Sequence, residues 1–482
     1  ITILGAHMRA ATLLVVVALS ILLTNGLLSH ATSNYWFESI GGNNIDYGYS
    51  LTVDSTYIYV VGDSLSYTAD SEIFTIQLDN TGTLQWAEVI GSGTSTGTDK
   101  GSDIEHDASG NIYIIGSTQT AGAGGFDIAV MKLDNQGNPI WVKTIGGAND
   151  DYGTSLTLDS NGNIYFVGYT SSFGAGAYDV ITGKIDPNGN LVWAIVIGGS
   201  SYDYGQGIVI DNNGYLYITG YTQSYTSGAD DVFIAKISST GGGLVWFKTF
   251  GGSITDEGLA TATDGTTLYL TGITYSYGSN GEIFVVEMDS NGNIAWSRII
   301  GGGGVDTGNS VAVDTLGNVF LTGSTSSVGN GGNDICIAKL DSTGTLQWFK
   351  TIGGTYTDEG KDIVVDSAGD IYIVGYSASY SNDGSQDIVV ARMDSTGSIP
   401  GISNLVYDHT ADITVSPISL TVIDRTPQTS NVTTSVNINS WNPTVTVVTP
   451  SVVPIPEPAL IIIALIISVM VLILLKTRAT SM

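Results

Sequence analysis

Polar and apolar side chains alternate along short stretches of this chain, and glycine-rich turns separate the stretches. The segment TSLTLD at 154–159 alternates in the way that is typical of a β-strand with two different faces. SNGN follows as a tight turn in which Asn-Gly allows positive φ, and IYFVGYT at 164–170 is a second strand. The loop SSFGAGAY, a third strand DVITGKID, the turn PNGN and a fourth strand LVWAIVIGG complete the predicted unit.

This four-stranded unit is one of seven copies. Seven of the eight Trp residues mark the copies at intervals of 50 to 55 residues: Trp36, Trp86, Trp141, Trp193, Trp246, Trp296 and Trp348. Gly-Gly follows each Trp, except for Gly91-Ser92 in the second copy, and an Asp-x-Gly comes next. One small sheet cannot bury both of its faces, whereas seven sheets packed radially can. The sequence therefore predicts an all-β fold, a seven-bladed β-propeller of four-stranded antiparallel blades over residues 32–400.

The two ends of the repeat region predict how the ring closes. The first copy, YWFESIGG, is a fourth strand with no first three strands before it. The last copy has the opposite defect, because IPGISN stands after ARMDSTGS where a Trp strand is expected. We expect the N-terminal strand to complete the seventh blade.

The repeat resembles a family of bacterial and archaeal surface propeller repeats. The residues that carry the resemblance in the copy beginning at 141 are Trp141, Gly146, Gly147, Asp151, Gly153, Asp159, Gly162, Asn163, Tyr165, Gly168, Asp179, Lys184, Asp186 and Gly189. The resemblance covers residues 35–400 and implies a surface or secreted interaction protein, without specifying a ligand.

Both ends of the sequence carry features of targeting. Residues 1–31, with Met8 as the start, predict a signal peptide, since a short apolar run precedes a small-x-small cleavage site. Pro-Glu-Pro at 456–458, the apolar run 459–475 and a short basic end resemble C-terminal sorting signals of prokaryotic surface proteins. We therefore predict a sorting motif and a transmembrane helix over 456–478, followed by a cytoplasmic tail at 479–482.

These signals predict a cell-surface protein that is anchored in the cytoplasmic membrane with its propeller outside. The Thr/Val/Ser-rich segment 401–455 between propeller and anchor predicts either an extended stalk or a small β extension.

The charge balance excludes one class of partner. The formal net charge is −30 and the pI is near 4.1, so the phosphate backbone of a nucleic acid would be repelled. The single cysteine, Cys336, cannot form a disulfide within the chain, and the four scattered His residues offer little for a metal cluster.

The loops between second and third strands predict a binding surface. Antiparallel order places these loops and the Gly-Gly loops on the same face of the propeller. They are rich in Tyr, Ser and Gly, a composition typical of adaptable binding loops, although the same residues also occur on a solvated rim. The binding-face candidates are Tyr67, Tyr178, Tyr225, Tyr277 and Tyr380.

The Asp-x-Gly carboxylates are a second candidate. Their seven side chains should surround the central axis: Asp46, Asp99, Asp151, Asp203, Asp256, Asp306 and Asp358. A ring of carboxylates could hold Ca²⁺, but a short acid beside Gly more often accepts hydrogen bonds from its own turn. The acids that open the third strands are expected to be hydrogen-bond partners of loops or neighbouring blades.

The regularity of the copies favours binding over catalysis. No copy contains an insertion of more than a few residues, and GTSTG at 93–97 lies in a repeat loop rather than a strand-to-helix turn. We therefore predict no enzyme and no cofactor, and a role in adhesion, binding or envelope structure with an envelope protein or glycan as partner. The alternative is a secreted propeller enzyme, either a hydrolase, a lyase or a quinone-cofactor dehydrogenase, because KLDNQGNPIWVKTIGG resembles the tryptophan-docking repeat of the last class.

Overall fold

A computed structural model describes residues 34–91, 97–226, 229–381, 383–400, 402, 405–420, 422–426, 428–431, 437–440, 444–447 and 451–454. Within these ranges no helix has the length and apolar character needed to cross a membrane. The predicted signal peptide, sorting motif and transmembrane segment lie outside the described residues, as does most of GTSTG.

The strands follow the repeat. The first are β1 (Trp36–Gly41), β2 (Asp46–Val53), β3 (Tyr57–Ser64), β4 (Glu72–Asp79), β5 (Leu84–Gly91), β6 (Asp99–His106), β7 (Ile112–Thr118), β8 (Asp127–Leu133) and β9 (Pro139–Gly146). The next are β10 (Asp151–Leu158), β11 (Ile164–Thr170), β12 (Asp179–Ile185), β13 (Leu191–Gly198), β14 (Asp203–Ile210), β15 (Tyr215–Thr222), β16 (Asp231–Ser238) and β17 (Leu244–Phe250). The series ends with β18 (Asp256–Thr263), β19 (Thr267–Thr274), β20 (Glu282–Asp289), β21 (Ile294–Gly301), β22 (Asp306–Val313), β23 (Val319–Thr325), β24 (Asp334–Leu340), β25 (Leu346–Ile352), β26 (Asp358–Val365), β27 (Ile371–Ser377) and β28 (Asp387–Met393).

These strands form seven antiparallel blades around a central channel. Blade 1 is β2–β5, and each later set of four forms the next blade, up to blade 7. The Asp-x-Gly strand is innermost in every blade and shifts register just after its Gly. In blade 3, Gly153 pairs with Gly168. A Cβ on Gly168 would lie 1.9 Å from the carbonyl oxygen of Tyr152. Only glycine fits at this close approach.

The N-terminal strand closes the ring, as the sequence predicts. β1 pairs with β28 as the fourth strand of blade 7, with Phe37 opposite Ala391. The ring of Phe37 also meets that of Tyr380 edge to face, at 5.3 Å between centroids. The predicted all-β, seven-bladed architecture with four-stranded antiparallel repeats is confirmed.

Each Trp strand fastens one blade to the next. The indole Nε1 of Trp141 in blade 2 donates to the carbonyl oxygen of Pro187 in blade 3, at 3.2 Å. Its ring covers Gly189, which has φ +82° and where a Cβ would lie 3.0 Å from the indole. Trp36, Trp86, Trp193 and Trp296 make the same bond to the turn of their following blades. Apolar clusters fill the blade interfaces, for example the cluster that joins Ile115 and Ile128 to Leu156 and Phe166.

The segment after the repeats forms seven more short strands. They are β29 (Val406–Asp408), β30 (Thr414–Pro417), β31 (Ile423–Arg425), β32 (Gln428–Asn431), β33 (Asn437–Ser440), β34 (Thr444–Val447) and β35 (Ser451–Pro454). Each pairs antiparallel with the outermost strand of a different blade, in the order 6, 5, 4, 3, 2, 1 and 7. The segment therefore encircles the propeller against the order of the blades, and we call β29–β35 the belt.

The sequence left a stalk or a small β extension open for 401–455, and the described residues of this segment form additional β-strands. Its described strands do not project as a stalk, and they form no separate sheet. The last belt strand, β35, pairs with β1, the strand that closes the ring, so that Ser39 lies opposite Val453. Every blade thus has five strands, and the belt covers the outer edge that each blade would otherwise expose.

Candidate functional site

The seven Asp-x-Gly carboxylates lie at the joints between blades. All are 0 to 2% exposed. The carboxylate of Asp151 accepts hydrogen bonds from Gly147 N at 2.8 Å, from Ser172 Oγ at 2.8 Å and from the hydroxyl of Thr170. The Asp151 N–H donates to the carbonyl oxygen of Phe126 in the preceding blade, at 2.7 Å. Each of these groups belongs to the joint that Asp151 occupies.

The other copies repeat this arrangement. Asp46, Asp203 and Asp306 accept the same three kinds of hydrogen bond. Asp99, Asp256 and Asp358 each accept a hydrogen bond from at least one Ser or Thr hydroxyl of their own blade. Within the described ranges, no three His, Cys, Asp or Glu side chains are placed to share a metal ion. The geometry of these seven carboxylates supports the turn-bonding alternative.

The acids that open the third strands hold the long loops. Asp179 Oδ2 accepts hydrogen bonds from Ala175 N at 2.9 Å and Gly176 N at 3.1 Å. Burial, partly offset by the bond from Ala123 N, raises the pKa of the equivalent Asp127 to about 6. These acids stabilise loop geometry.

Four of the five candidate tyrosines lie in the joints rather than on an open binding surface. The hydroxyls of Tyr277 and Tyr380 donate to the carbonyl oxygens of Gly251 and Gly353 in the preceding blade, at 2.7 and 2.9 Å. Tyr225 makes the equivalent bond to Gly198, and Tyr67 stacks on Phe74. Tyr225, Tyr277 and Tyr380 are therefore half-buried clamps between blades, whereas the buried hydroxyl of Tyr67 has no partner among the described residues.

The fifth candidate, Tyr178, has a different position. It precedes the third strand of blade 3 and touches the rings of Tyr152, Tyr169, Tyr202 and Tyr204, with centroids 5.3 to 6.3 Å apart. Tyr178 therefore leads to a site that the loop compositions do not reveal.

This site lies at the mouth of the channel on the loop-rich face. In every blade one cross-strand pair sits just before the Gly–Gly pair of the first two strands. We call the seven pairs the mouth ring: Tyr47–Asp63, Lys100–Ser117, Tyr152–Tyr169, Tyr204–Tyr221, Glu257–Ile273, Thr307–Ser324 and Glu359–Tyr376. The adjoining Gly–Gly pair is constant among the copies while the mouth ring varies, so the ring distinguishes one side of the channel from another.

Blades 3 and 4 make one part of the mouth aromatic. Both members of each pair are Tyr there, and three further rings join them from the neighbouring loops. We call the set the aromatic sector: Phe126, Tyr152, Tyr169, Tyr178, Tyr202, Tyr204 and Tyr221. Tyr204 is central, with Tyr169 and Tyr221 at centroid distances of 4.9 and 4.8 Å, and Tyr202 is 40% exposed.

Carboxylates border the aromatic sector. Burial, and then the charge of Asp150, raise the pKa of Tyr152 to about 12. Burial, and then the charges of Glu257 and Asp230, raise the pKa of Tyr221. Burial and the neighbouring Asp230 also raise the pKa of Glu257. The rings thus have carboxylates as close neighbours.

Blade 7 contributes an ion pair to the other side of the mouth. Lys361 Nζ lies 2.5 Å from Glu359 Oε1, which also accepts a hydrogen bond from Asn309 Nδ2 at 2.8 Å. Tyr376 donates its hydroxyl to the same carboxylate. Burial alone would raise the pKa of Glu359, but Lys361 and these hydrogen bonds outweigh it and lower the pKa.

Deeper in the channel, side chains at the register shifts form a hydrogen-bonded girdle across five blades. The channel girdle consists of Ser310, Asp362, Ser50, Asp103 and Ser155. Ser155 Oγ donates to Asp103 Oδ2 at 2.8 Å, and Ser310 Oγ donates to Asp362 Oδ1 at 2.7 Å. The cavity that these side chains help to line has a volume of about 440 Å³.

The girdle ends where blades 4 and 5 carry Gly207 and Ala260 at the equivalent position. Burial, followed by the charge of Asp362, raises the pKa of Asp103 to about 6. Glu105 also lines the cavity, and burial with the charges of Asp103 and Asp362 raises its pKa to about 8. Burial and mutual repulsion therefore raise the pKa of both carboxyl groups in the channel.

Sequence reasoning missed the mouth ring for an identifiable reason. Composition favours the loops, because it resembles that of binding loops, whereas the residues of the mouth ring lie within strands. A signal is present: the middle residue of Asp-x-Gly and the residue after the second-strand Gly vary while their neighbours repeat. An alignment of the seven copies identifies these positions by the variation of their residues.

The fold and this geometry define the class: the protein is a seven-bladed β-propeller. Four segments match the β-propeller repeat SBBP, at residues 140–174, 192–225, 295–330 and 347–381. The chain thus carries the repeat that its own internal periodicity indicated.

Similarity to individual proteins is lower. A stretch of 168 residues is 23% identical to the regulatory protein FlaEY of Caulobacter vibrioides, covering 28% of this chain and 18% of that protein. The chain therefore spans less than a fifth of that relative.

Similar solved structures include the Pan2 WD40 domain of Neurospora crassa, at 11% identity and TM-score 0.42, covering 72% of this chain and 89% of that one. Another is polysaccharide lyase Uly1, at 9% identity and TM-score 0.40, covering 74% and 90%. A third is a gluconolactonase of Xanthomonas campestris, at 12% identity and TM-score 0.32, covering 75% and 88%. These likenesses carry no information about the activity of this chain.

Proposed function

We propose that this protein is a non-enzymatic binding propeller of the cell surface, which takes an envelope protein or glycan as its partner at the channel mouth. The observation that carries the proposal is the aromatic sector. It gathers seven rings from three blades on the loop-rich face, and it breaks the regularity of the mouth ring. Tyrosine offers a large contact area at a low cost in conformational entropy, so such a cluster suits recognition.

The carboxylates in the channel support binding rather than catalysis. Asp103 accepts four hydrogen bonds, from Ser50, Ile104, Ser155 and Leu156. A carboxylate committed in this way to its own scaffold is a poor general base or metal ligand. The hydrogen bonds of Asp103 therefore fit a rigid scaffold that presents a binding surface better than they fit a catalytic site.

The proposed location rests on the sequence. The apolar run 459–475, followed by Lys476 and Arg478, favours an anchor with the propeller outside the cytoplasmic membrane. In that setting an acidic, glycine-rich propeller meets the components of the cell envelope.

A pull-down with the full-length protein tests the proposal. Envelope proteins and oligosaccharides are offered to the wild type, to Tyr204→Leu and to Tyr356→Leu; Tyr356 is 62% exposed on a Gly-Gly loop outside the sector. We expect specific retention by the wild type and Tyr356→Leu, and its loss in Tyr204→Leu with an unchanged melting temperature. Retention of no component, together with hydrolase, lyase or dehydrogenase turnover in a substrate screen, would contradict the proposal.

A further inference from the structure

Most tyrosines of the aromatic sector have hydroxyl groups that make no hydrogen bond to the described part of the protein. Several structural tyrosines have fixed acceptors, as when Tyr165 donates to Asp159 Oδ2 at 3.1 Å or Tyr380 donates to the Gly353 carbonyl, although the buried hydroxyl of Tyr67 has none among the described residues. Among the described residues, no hydrogen-bond partner is found for five hydroxyls of the sector: Tyr152, Tyr169, Tyr202, Tyr204 and Tyr221. These side chains are therefore available to a ligand.

The rings of the sector also differ in having no cation of their own. On the opposite face, the protein places its own lysines over tyrosines. Lys236 Nζ lies 4.1 Å from the centroid of Tyr215, and Lys184 Nζ lies 5.1 Å from that of Tyr165. Within the part of the chain that the structure describes, none of the Lys or Arg groups found over an aromatic ring covers a ring of the sector.

Carboxylates lie close to the sector. Burial comes first among the causes that raise the pKa of Tyr152, Tyr169, Tyr178, Tyr204 and Tyr221, and the charges of Asp150, Asp230 or Glu257 add to it. Asp230 adds a second feature, which it shares with Asp63 of the mouth ring: its Oδ1 is buried and has no hydrogen-bond partner among the described residues. A buried carboxylate oxygen without a donor costs free energy, which a donor from a ligand would recover.

We propose that the aromatic sector, with Asp150, Asp230 and Glu257 at its border, binds the Lys or Arg side chains of a basic segment of a partner protein. This inference rests on the proposed function and names the chemistry of its partner. A cation over a tyrosine face is attracted by the ring quadrupole, and its N–H groups can donate to a carboxylate at the edge of the ring. A neutral sugar would use the rings, but it would leave the three carboxylates, Asp230 among them, without a counterpart in charge.

Fluorescence anisotropy with labelled hexalysine and hexaarginine tests the inference on the full-length protein at physiological salt. Hexalysine with acetylated side chains is the uncharged control, and hexaglutamate is the control of opposite charge. We expect both basic peptides to bind and both controls to fail. Tyr204→Leu should weaken binding about tenfold, whereas Tyr204→Phe should stay within about twofold because it keeps the ring face.

Matched variants separate the site from the general negative charge. Tyr356→Leu removes an exposed tyrosine outside the sector, and Asp383→Asn removes an exposed carboxylate. We expect neither to change the affinity, while Asp230→Asn weakens it. Equal binding of acetylated hexalysine, or an equal loss in Tyr356→Leu and Tyr204→Leu, would overturn the inference.

The outcomes also distinguish this inference from the proposed function. If neutral oligosaccharides bind, Tyr204→Leu abolishes that binding and basic peptides fail, the binding function stands and the cationic ligand is wrong. If basic peptides, oligosaccharides and envelope proteins all fail to bind, both proposals are wrong.

Discussion

Ser50 donates its hydroxyl to Asp103 in the neighbouring blade, with 2.7 Å between Ser50 Oγ and Asp103 Oδ1. The same Ser50 oxygen lies 2.9 Å from Asp362 Oδ2 on its other side. A serine hydroxyl carries one proton, so it can serve only one of two charged carboxylates at a time. The girdle is therefore best satisfied when one of the two carboxyl groups is protonated and donates to Ser50.

This shared hydroxyl predicts a pH dependence of stability. Burial and Asp362 raise the pKa of Asp103 from 3.8 to about 6, so the folded state binds this proton more tightly than the unfolded state. The resulting stability is fully present below pH 3.8 and is lost as the pH rises through about 6. Between pH 4 and 7, the free energy of unfolding of wild type relative to Asp103→Asn should fall by roughly 1–3 kcal/mol.

Urea unfolding at a series of pH values checks this prediction. Asp383→Asn is the control, because hydrogen bonds from Ser385 lower the pKa of Asp383 and it stays charged throughout this window. A difference between wild type and Asp103→Asn that stays constant with pH would show that the girdle holds no additional proton.

The contact between Trp141 and Gly189 predicts that replacing this glycine destabilises the protein. Gly189→Ala places a methyl group 3.0 Å from the indole and puts alanine at φ +82°. We expect a loss of about 1–3 kcal/mol in the free energy of unfolding. Gly243→Ala is the matched control, since a Cβ there meets nothing within 4 Å. Similar effects in the two variants would contradict the proposed role of the Trp strand.

The Asp-x-Gly joint predicts a structural role for its acid. Asp151→Ala leaves Gly147 N and the hydroxyls of Thr170 and Ser172 without their acceptor. Because buried donors then lose their partner, we expect a loss of about 2–4 kcal/mol in stability.

The same joint predicts that metal removal has no effect. The melting temperature of the wild type should be the same in Ca²⁺ and in a chelator, as measured by calorimetry. A rise of several degrees on adding Ca²⁺ would support the cation alternative instead.

The pairing of β35 with β1 predicts that an engineered disulfide can join these two strands. Ser39 in β1 lies opposite Val453 in β35, so Ser39→Cys with Val453→Cys should form a disulfide on mild oxidation. A shift in mobility on a non-reducing gel measures it. Ser39→Cys with Val447→Cys is the control, because Val447 pairs with Glu88 in blade 1. Equal cross-linking of both pairs, or of neither, would contradict the described path of the belt.

Much of the fold was predictable because it depends on local patterns repeated seven times. The alternation in TSLTLD and the Asn-Gly turns specify strands and hairpins within about ten residues. The count of strands at the two ends was enough to place β1 beside β28, since an unpaired fourth strand and a missing fourth strand complete each other.

The candidate site was predicted only in part. Tyr178 was selected for its loop and lies in the aromatic sector, but Tyr225, Tyr277 and Tyr380 carry the same kind of signal and serve as clamps between blades. Composition cannot separate a hydroxyl that faces solvent from one that reaches a backbone carbonyl, because that depends on the neighbouring blade.

The sequence by itself determined the number of blades, the order of strands within each blade and the way the ring closes, because local periodicity and turn chemistry encode them. The tertiary structure alone decided which side chains meet. It brought Tyr169 of blade 3 to Tyr204 of blade 4, and it placed Ser50 between Asp103 and Asp362, although these residues belong to different blades and are far apart in sequence. It also laid the belt on seven outer edges, since an unpaired strand edge attracts any extended segment within reach and no local pattern states which one.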